Sequence, residues 1–236
     1  KINITKKAIK QVRTAERQQL ISFIEQLSKN DLDKQSLCEG WNIRDVLAHI
    51  VGYEVKNSDG FKLLLGFGKL DEINNAQGKR YKRASIADFS QLLKKGHKRT
   101  LRLLNLTPAK IFNRKFIKIK TGTISPSQIF GDVAFDRAIH FLDMSYPLGK
   151  ANQIDSTDTL MLMLNFMFMS IDLFNRKLSK DYIGKVAEFR ISEPEYIIYW
   201  QIGSSASLIK PIIKPNLTIE AGANDFIFVV TGRNQL

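Results

Sequence analysis

The hydrophobic period of this chain changes at Gly184. Before it, apolar residues recur at helical spacing, and after it they alternate as in strands. A run of amphipathic helices followed by a short block of strands predicts an α+β protein, with a helical bundle and a small C-terminal unit. One helix is expected from Thr5 to Lys29, with Ile9, Val12, Leu20, Phe23, Ile24 and Leu27 on its core side. A second opens at Asn42, with Asp45 placed to cap it, and runs toward Asp59. Gly66 and Gly68 interrupt the segment beyond it.

Ser85 and Asp88 open a third helix that runs to Pro108. Ser125, Pro126 and Gln128 open a fourth that ends near Ser145, before Pro147 and Gly149. Residues 109–124 fit either a long loop or a short strand pair. The segment 159–178 reads as a helix and holds Met161, Met163, Met167 and Met169, an irregular core filling. Strands are expected at Val186–Ile191, Tyr196–Ile202, Leu217–Ile219 and Phe226–Val230. The chain then divides into a bundle (1–150), a connecting or core helix (151–184) and a small α+β unit (185–236). That unit is too short to be stable alone and is expected to lean on the helices.

Several classes fall away. The single cysteine, Cys38, excludes a disulfide-stapled scaffold and is read as a packing residue. The most apolar stretch, Leu160–Ile171, contains Asn165 and Ser170 and stops at Asp172, so no membrane insertion is expected. The opening KINITKKAIK runs straight into a helical pattern without the apolar core of a signal peptide, and a cytoplasmic setting is expected. Residues 79–120 hold fourteen Lys and Arg against one acid, Asp88, and so carry the whole net charge of +13. A charge this local suits either a solvated face or an anionic ligand. No nucleic-acid-binding motif accompanies it, and no specific nucleic acid is expected as a partner.

Two of the three histidines carry the chemistry. His49 lies within the second helix. Asp136 and His140 lie four apart on the fourth, on one helical face. If these helices pack side by side, the three side chains form a two-histidine, one-carboxylate set with room for water or substrate, a set that suits zinc, iron(II) or nickel. Asp132 and Asp143 stand one turn to either side, available to orient an imidazole. Spacing alone equally allows hydrogen-bonded core histidines. His97, among lysines, is placed on the surface.

The segment CEGWNIRDVLAHIVGYE (38–54) resembles a signature of the DinB-like metalloenzyme superfamily, in its mycothiol-dependent maleylpyruvate isomerase branch. GDVAFDRAIHFLDMSYPLG (131–149) resembles that branch's second signature, and LTIEAGANDFIFVVTGR (217–233) its small sterol-carrier-like tail. The resemblance implies an antiparallel four-helix bundle holding a divalent metal, zinc first and nickel or iron next, on His49, Asp136 and His140. The family has glutamate where this chain has Asp136, so the helices must approach more closely or the metal is held less well. The resemblance further implies that Arg83 and Arg233 bind a small anionic organic substrate. It implies a low-molecular-weight thiol as cosubstrate, in an isomerase or thiol transferase reaction. A composition dense in Lys, Asn and Ile is unlike that of a high-GC genome and leaves the thiol's identity open. The alternative is a noncatalytic ligand-binding or stress-associated DinB-like protein. The sequence sets no oligomeric state.

Overall fold

Thr5 accepts a hydrogen bond from the Ala8 amide and so starts helix α1, Lys6–Glu25. The next long helix, α2 (Ile43–Val55), begins where Asn42 and Asp45 exchange side-chain-to-amide bonds of 2.9 and 3.1 Å. In this computed structural model, which describes residues 4–55, 70–119, 122–151, 153–174, 180–202 and 214–233, the order continues with α3 (Leu70–Tyr81) and α4 (Ile86–Leu106). A short α5 (Ala109–Phe112) and a strand pair, β1 (Ile117–Ile119) and β2 (Gly122–Ile124), lead to α6 (Pro126–Ser145). Ser85 with Asp88 and Ser125 with Gln128 form complete capping boxes at the starts of α4 and α6. The expected continuation of α2 toward Asp59 and the Gly66 and Gly68 breaks lie outside the described residues.

Helix α7 (Thr157–Phe174) explains the methionine-rich segment. Leu162 and Phe166 pack among Ile9, Val12 and Ala134 of the bundle, while Leu160, Met163, Leu164 and Phe168 pack against the C-terminal unit. A helix buried from both sides needs apolar residues all round. That unit is a three-stranded sheet of β3 (Val186–Ser192), β4 (Tyr196–Gln201) and β5 (Leu217–Gly222), in the order β4-β3-β5. β4 runs antiparallel and β5 parallel to β3.

Two expectations are corrected. Residues Phe226–Val230 are not a strand but belong to helix α8, Ala223–Val230. Their aromatic and β-branched character favours a strand locally. Ala223, Ile227 and Phe228, at helical spacing, bury a common face against Phe168 and Leu164 of α7, and that packing decides. His97 is not on the surface. It is 3% exposed and lies on the inward row of α4 with Phe89, Leu93, Thr100 and Leu104.

Candidate metal centre

The loop that precedes α2 is pinned from within. The Gln35 side-chain amide donates to the carbonyls of Cys38 and Trp41 at 2.8 and 2.9 Å, and the Leu37 amide donates to the Asp143 carbonyl at 3.0 Å. This ties the loop to the end of α6 and sets Cys38 and Trp41 at the mouth of a cavity of about 410 Å3 between α2, α3 and α6. His49, Asp136 and His140 line it together with Tyr53, Asn74 and Asp132. The two imidazole rings meet edge to face, 4.8 Å apart, and Trp41 lies near both.

His49 Nε2 lies 3.2 Å from Asp136 Oδ2, and His140 Nε2 lies 3.4 Å from Asp136 Oδ1. The three ligand atoms fall within 4.8 Å of one another. A tetrahedral ion with bonds of roughly 2.0–2.1 Å separates its donors by about 3.3 Å, so the two imidazole–carboxylate distances are compatible with a bound ion as well as with an ion pair. The far nitrogen of each ring is already engaged. His49 Nδ1 faces the Asn74 amide oxygen at 3.1 Å, and His140 Nδ1 faces Asp143 Oδ2 at 2.8 Å. Both acceptors favour a proton on Nδ1 and leave the Nε2 lone pair for an ion. The donor set therefore fits a divalent metal.

Without an ion the three groups act on one another as an ion-pair cluster. Burial opposes ionisation of Asp136, but the charges of His140 and His49 outweigh it and hold the carboxyl far below its usual range. Burial likewise lowers the His140 pKa, and Asp136 and Asp143 more than restore it, well above the ordinary value. Asp132, one turn before Asp136, lines the cavity and is exposed to solvent. Crowding by the cavity wall, with the neighbouring Asp136 charge, pushes its carboxyl upward.

The remaining expected residues sit elsewhere. Arg233 does not point into the cavity. It grips Asp143 through Nε and Nη2 at 2.8 and 2.7 Å, so it reaches His140 only through that carboxylate. Arg83 stands exposed before α4 and lines a different depression, with Lys29, Arg44 and Lys82. Cys38, read as packing, does lean on the core beside Trp41, and its thiol in addition donates to Asp143 Oδ2 at 3.1 Å and lies 3.6 Å from His140 Nδ1. Those partners lie more than a hundred residues along the chain, and no local pattern announces them.

Two features escape a reading of the sequence alone. Asn74 lies on α3, whose buried residue is the polar Gln77, so no apolar stripe marks the helix. Beneath the cavity, Glu54 Oε1 accepts from both Arg13 and Arg137, and Arg13 also pairs with Glu16 at 3.4 Å. Charged residues at inward positions of α1, α2 and α6 are the available signal.

Comparison with known proteins points the same way. Residues 13–58 match the family model of the mycothiol maleylpyruvate isomerase N-terminal domain, a stretch that includes His49. No curated protein sequence matches the chain. The crystal structure of the mycothiol-dependent maleylpyruvate isomerase superposes with a TM-score of 0.63 and 11% identity, over 98% of this chain and 90% of that one. A histidine-to-alanine mutant of the same enzyme gives 0.62 with the same identity and coverage. At that identity the likeness is one of fold. In its overall architecture, and in sequence over residues 13–58, the chain is similar to the mycothiol-dependent maleylpyruvate isomerase branch that its helical signatures resemble.

Proposed function

We propose that this protein is a divalent-metal enzyme that uses a low-molecular-weight thiol on a small organic acid, in an isomerisation or thiol transfer. The observation that carries the reading is the donor geometry. Three side chains from α2 and α6 stand at distances that one metal ion could bridge, and Asn74 and Asp143 face the far nitrogens of the two imidazoles, which supports the reading. The similarity to mycothiol-dependent maleylpyruvate isomerase supports the thiol and the acid as reactants.

His49, Asp136 and His140 would hold the ion, zinc in the first instance. When bound, it supplies charge that favours thiolate over thiol and so prepares a nucleophile at neutral pH. The chain's own residues do the rest. Trp41 and Tyr53 wall the cavity and limit water. Asp132, at the cavity wall, offers a carboxyl whose affinity for a proton the neighbouring Asp136 charge raises. Asn74 and Asp143 keep the two rings from turning.

The test combines metal and thiol. The full chain is reconstituted with zinc, and metal is counted in the wild type, His49→Ala and His140→Ala. The cobalt-substituted wild type is then titrated with a panel of thiols and supplied with maleylpyruvate. The reading predicts one metal per wild-type chain, little in either variant, a thiol-dependent near-ultraviolet band and thiol-dependent isomerisation. Well under one metal per wild-type chain, or a cobalt spectrum that no thiol alters, would sink it.

A further inference from the structure

The cavity at His49 is not isolated. It shares Trp41 and Asn74 with a second depression of about 540 Å3, which shares Arg44 and Lys82 with a third of about 560 Å3. The three depressions thus adjoin one another in series, from the metal donors to the turn before α4. The outer end is strongly cationic. Lys29, Arg44, Lys82 and Arg83 line the third depression, and no carboxylate does among the described residues.

Of these four, Arg44 is partly committed, to the Ala84 carbonyl at 2.8 Å and to Asp33 at 3.3 Å. Lys29, Lys82 and Arg83 have no ionic or hydrogen-bonding partner among the described residues. The middle depression is nearly balanced. Its acids are Asp33, on Arg44, and Asp45, which caps α2 through the Asn42 amide, and its cations include Lys79, unpaired among the described residues. The N-terminus of the 21-residue α4 adds its dipole at the outer end, partly offset by Asp88, which turns back onto Ser85 at 2.8 Å. The side chains of Lys29, Lys82 and Arg83 are exposed and line one depression, so they are free to gather round an anionic ligand.

We propose that this series of depressions holds one elongated ligand, with a metal-seeking end such as a thiol at His49 and His140 and a polyanionic end, phosphate or paired carboxylates, at Lys29, Lys82 and Arg83. The inner end rests on the metal and thiol function proposed above. The outer end rests on the cationic depression alone. The inference places a use on the basic segment and explains why Arg83 stands away from the metal donors. Recognition is then divided: chemistry at one end, charge at the other.

Two probes test the ends separately. Pyrophosphate, a bare polyanion, is titrated into the metal-free full chain and into Lys29→Ala/Lys82→Ala. Coenzyme A, a thiol on a long arm with a phosphorylated far end, is compared with pantetheine on the zinc-loaded chain. Expected are saturable pyrophosphate binding that the double variant weakens about tenfold or more, and a coenzyme A preference over pantetheine of similar size that the double variant abolishes. Metal content and pantetheine affinity should stay unchanged. Equal pyrophosphate affinity in wild type and double variant would overturn the anion site. An arbitrary DNA duplex that displaces pyrophosphate at lower concentration would also overturn it, and would assign the patch to nucleic acid. A chain that takes up no metal but still binds pyrophosphate through these lysines would overturn the inner end and the proposed function, and support the outer site.

Discussion

Arg233, in the last described turn of the chain, clamps Asp143 at the end of α6 with two hydrogen bonds of 2.8 and 2.7 Å, ninety residues apart in sequence. The same carboxylate orients His140 and accepts from the Cys38 thiol. The C-terminal unit thus acts on the site through an imidazole. Arg233→Ala leaves Asp143, 1% exposed, without its cation, and should weaken metal binding by about tenfold or more, as loss of an orienting partner does. Asp143→Asn should do the same, because its amide offers His140 Nδ1 the wrong polarity in one of its two orientations. Competition with a chromophoric chelator measures both, and unchanged affinity would reduce the clamp to a structural tie.

Asp136 tests whether the shorter acid suits its place. The family's glutamate would be longer by one methylene, yet Asp136 already stands 3.2 and 3.4 Å from the two ring nitrogens. The shorter acid therefore already reaches both imidazoles. Asp136→Glu should bind zinc no more tightly than wild type, since the longer side chain must bend away from the imidazoles. Asp136→Ala should lose most of the metal. Tighter binding by the glutamate variant would show that the wild-type site is underfilled.

How much of this is legible in the sequence depends on distance along the chain. Helical periodicity places Asp136 and His140 on one face, because four residues make about one turn. On α4 two local signals conflict: His97 shares the spacing of Phe89 and Leu93, but the lysines around it favour the surface, where the sequence places it, and only packing decides for the core. The polar partners of Cys38 cannot be assigned from local pattern, since they are 102 and 105 residues away. Helix α3 buries a glutamine, and a propensity for strand conceals α8 until α7 offers it a surface. Local patterns report faces, and only packing reports which faces meet.

Gly96 is required by one such meeting. It lies on α4 where α2 crosses, and a Cβ there would stand 2.6 Å from the Glu54 Cβ and 3.3 Å from its backbone carbonyl carbon. Neither atom is the end of a flexible side chain, so the helices would have to part. Gly96→Ala gains up to about 1 kcal/mol in helix propensity and loses roughly 2–3 kcal/mol to overpacking. A net destabilisation of about 1–2 kcal/mol is expected in urea unfolding. A stabilised variant would show that the helix pair yields more readily than its packing implies.

The C-terminal unit should not be separable. Ile191, Ile198, Ile227 and Phe228 share one core with Leu164 and Phe168 of α7. Truncation after Lys185 strips that cover from α7 and removes the Arg233 clamp as well. The shortened chain should aggregate or bind an apolar dye strongly, because a contiguous apolar face is left in water. A soluble, monomeric truncation with a native thermal transition would show that the bundle is independent.

His97 gives the chain an acid sensitivity whose sign is fixed by its surroundings. Burial, reinforced by the charges of Arg17 and Arg13, lowers its pKa from 6.5 to about 4. Its Nδ1 has no hydrogen-bonding partner among the described residues, so nothing in the fold rewards protonation. Between these two values the unfolded chain binds a proton that the folded chain refuses. The contribution is therefore fully present above about pH 6.5 and is lost as pH falls toward 4, by an amount on the order of 3 kcal/mol at most. Glu16, in the same buried layer, acts in the opposite sense, since burial raises its carboxyl toward neutrality against the pull of Arg13 and Arg137. The wild-type curve mixes the two, and a difference measurement separates them. In metal-free protein, the stability of wild type relative to His97→Gln should be level above pH 7 and should fall steadily from pH 6.5 to 4. A difference that stays flat across that window would mean that His97 takes its proton without cost, and that the layer beneath the cavity opens to water more readily than its 3% exposure allows.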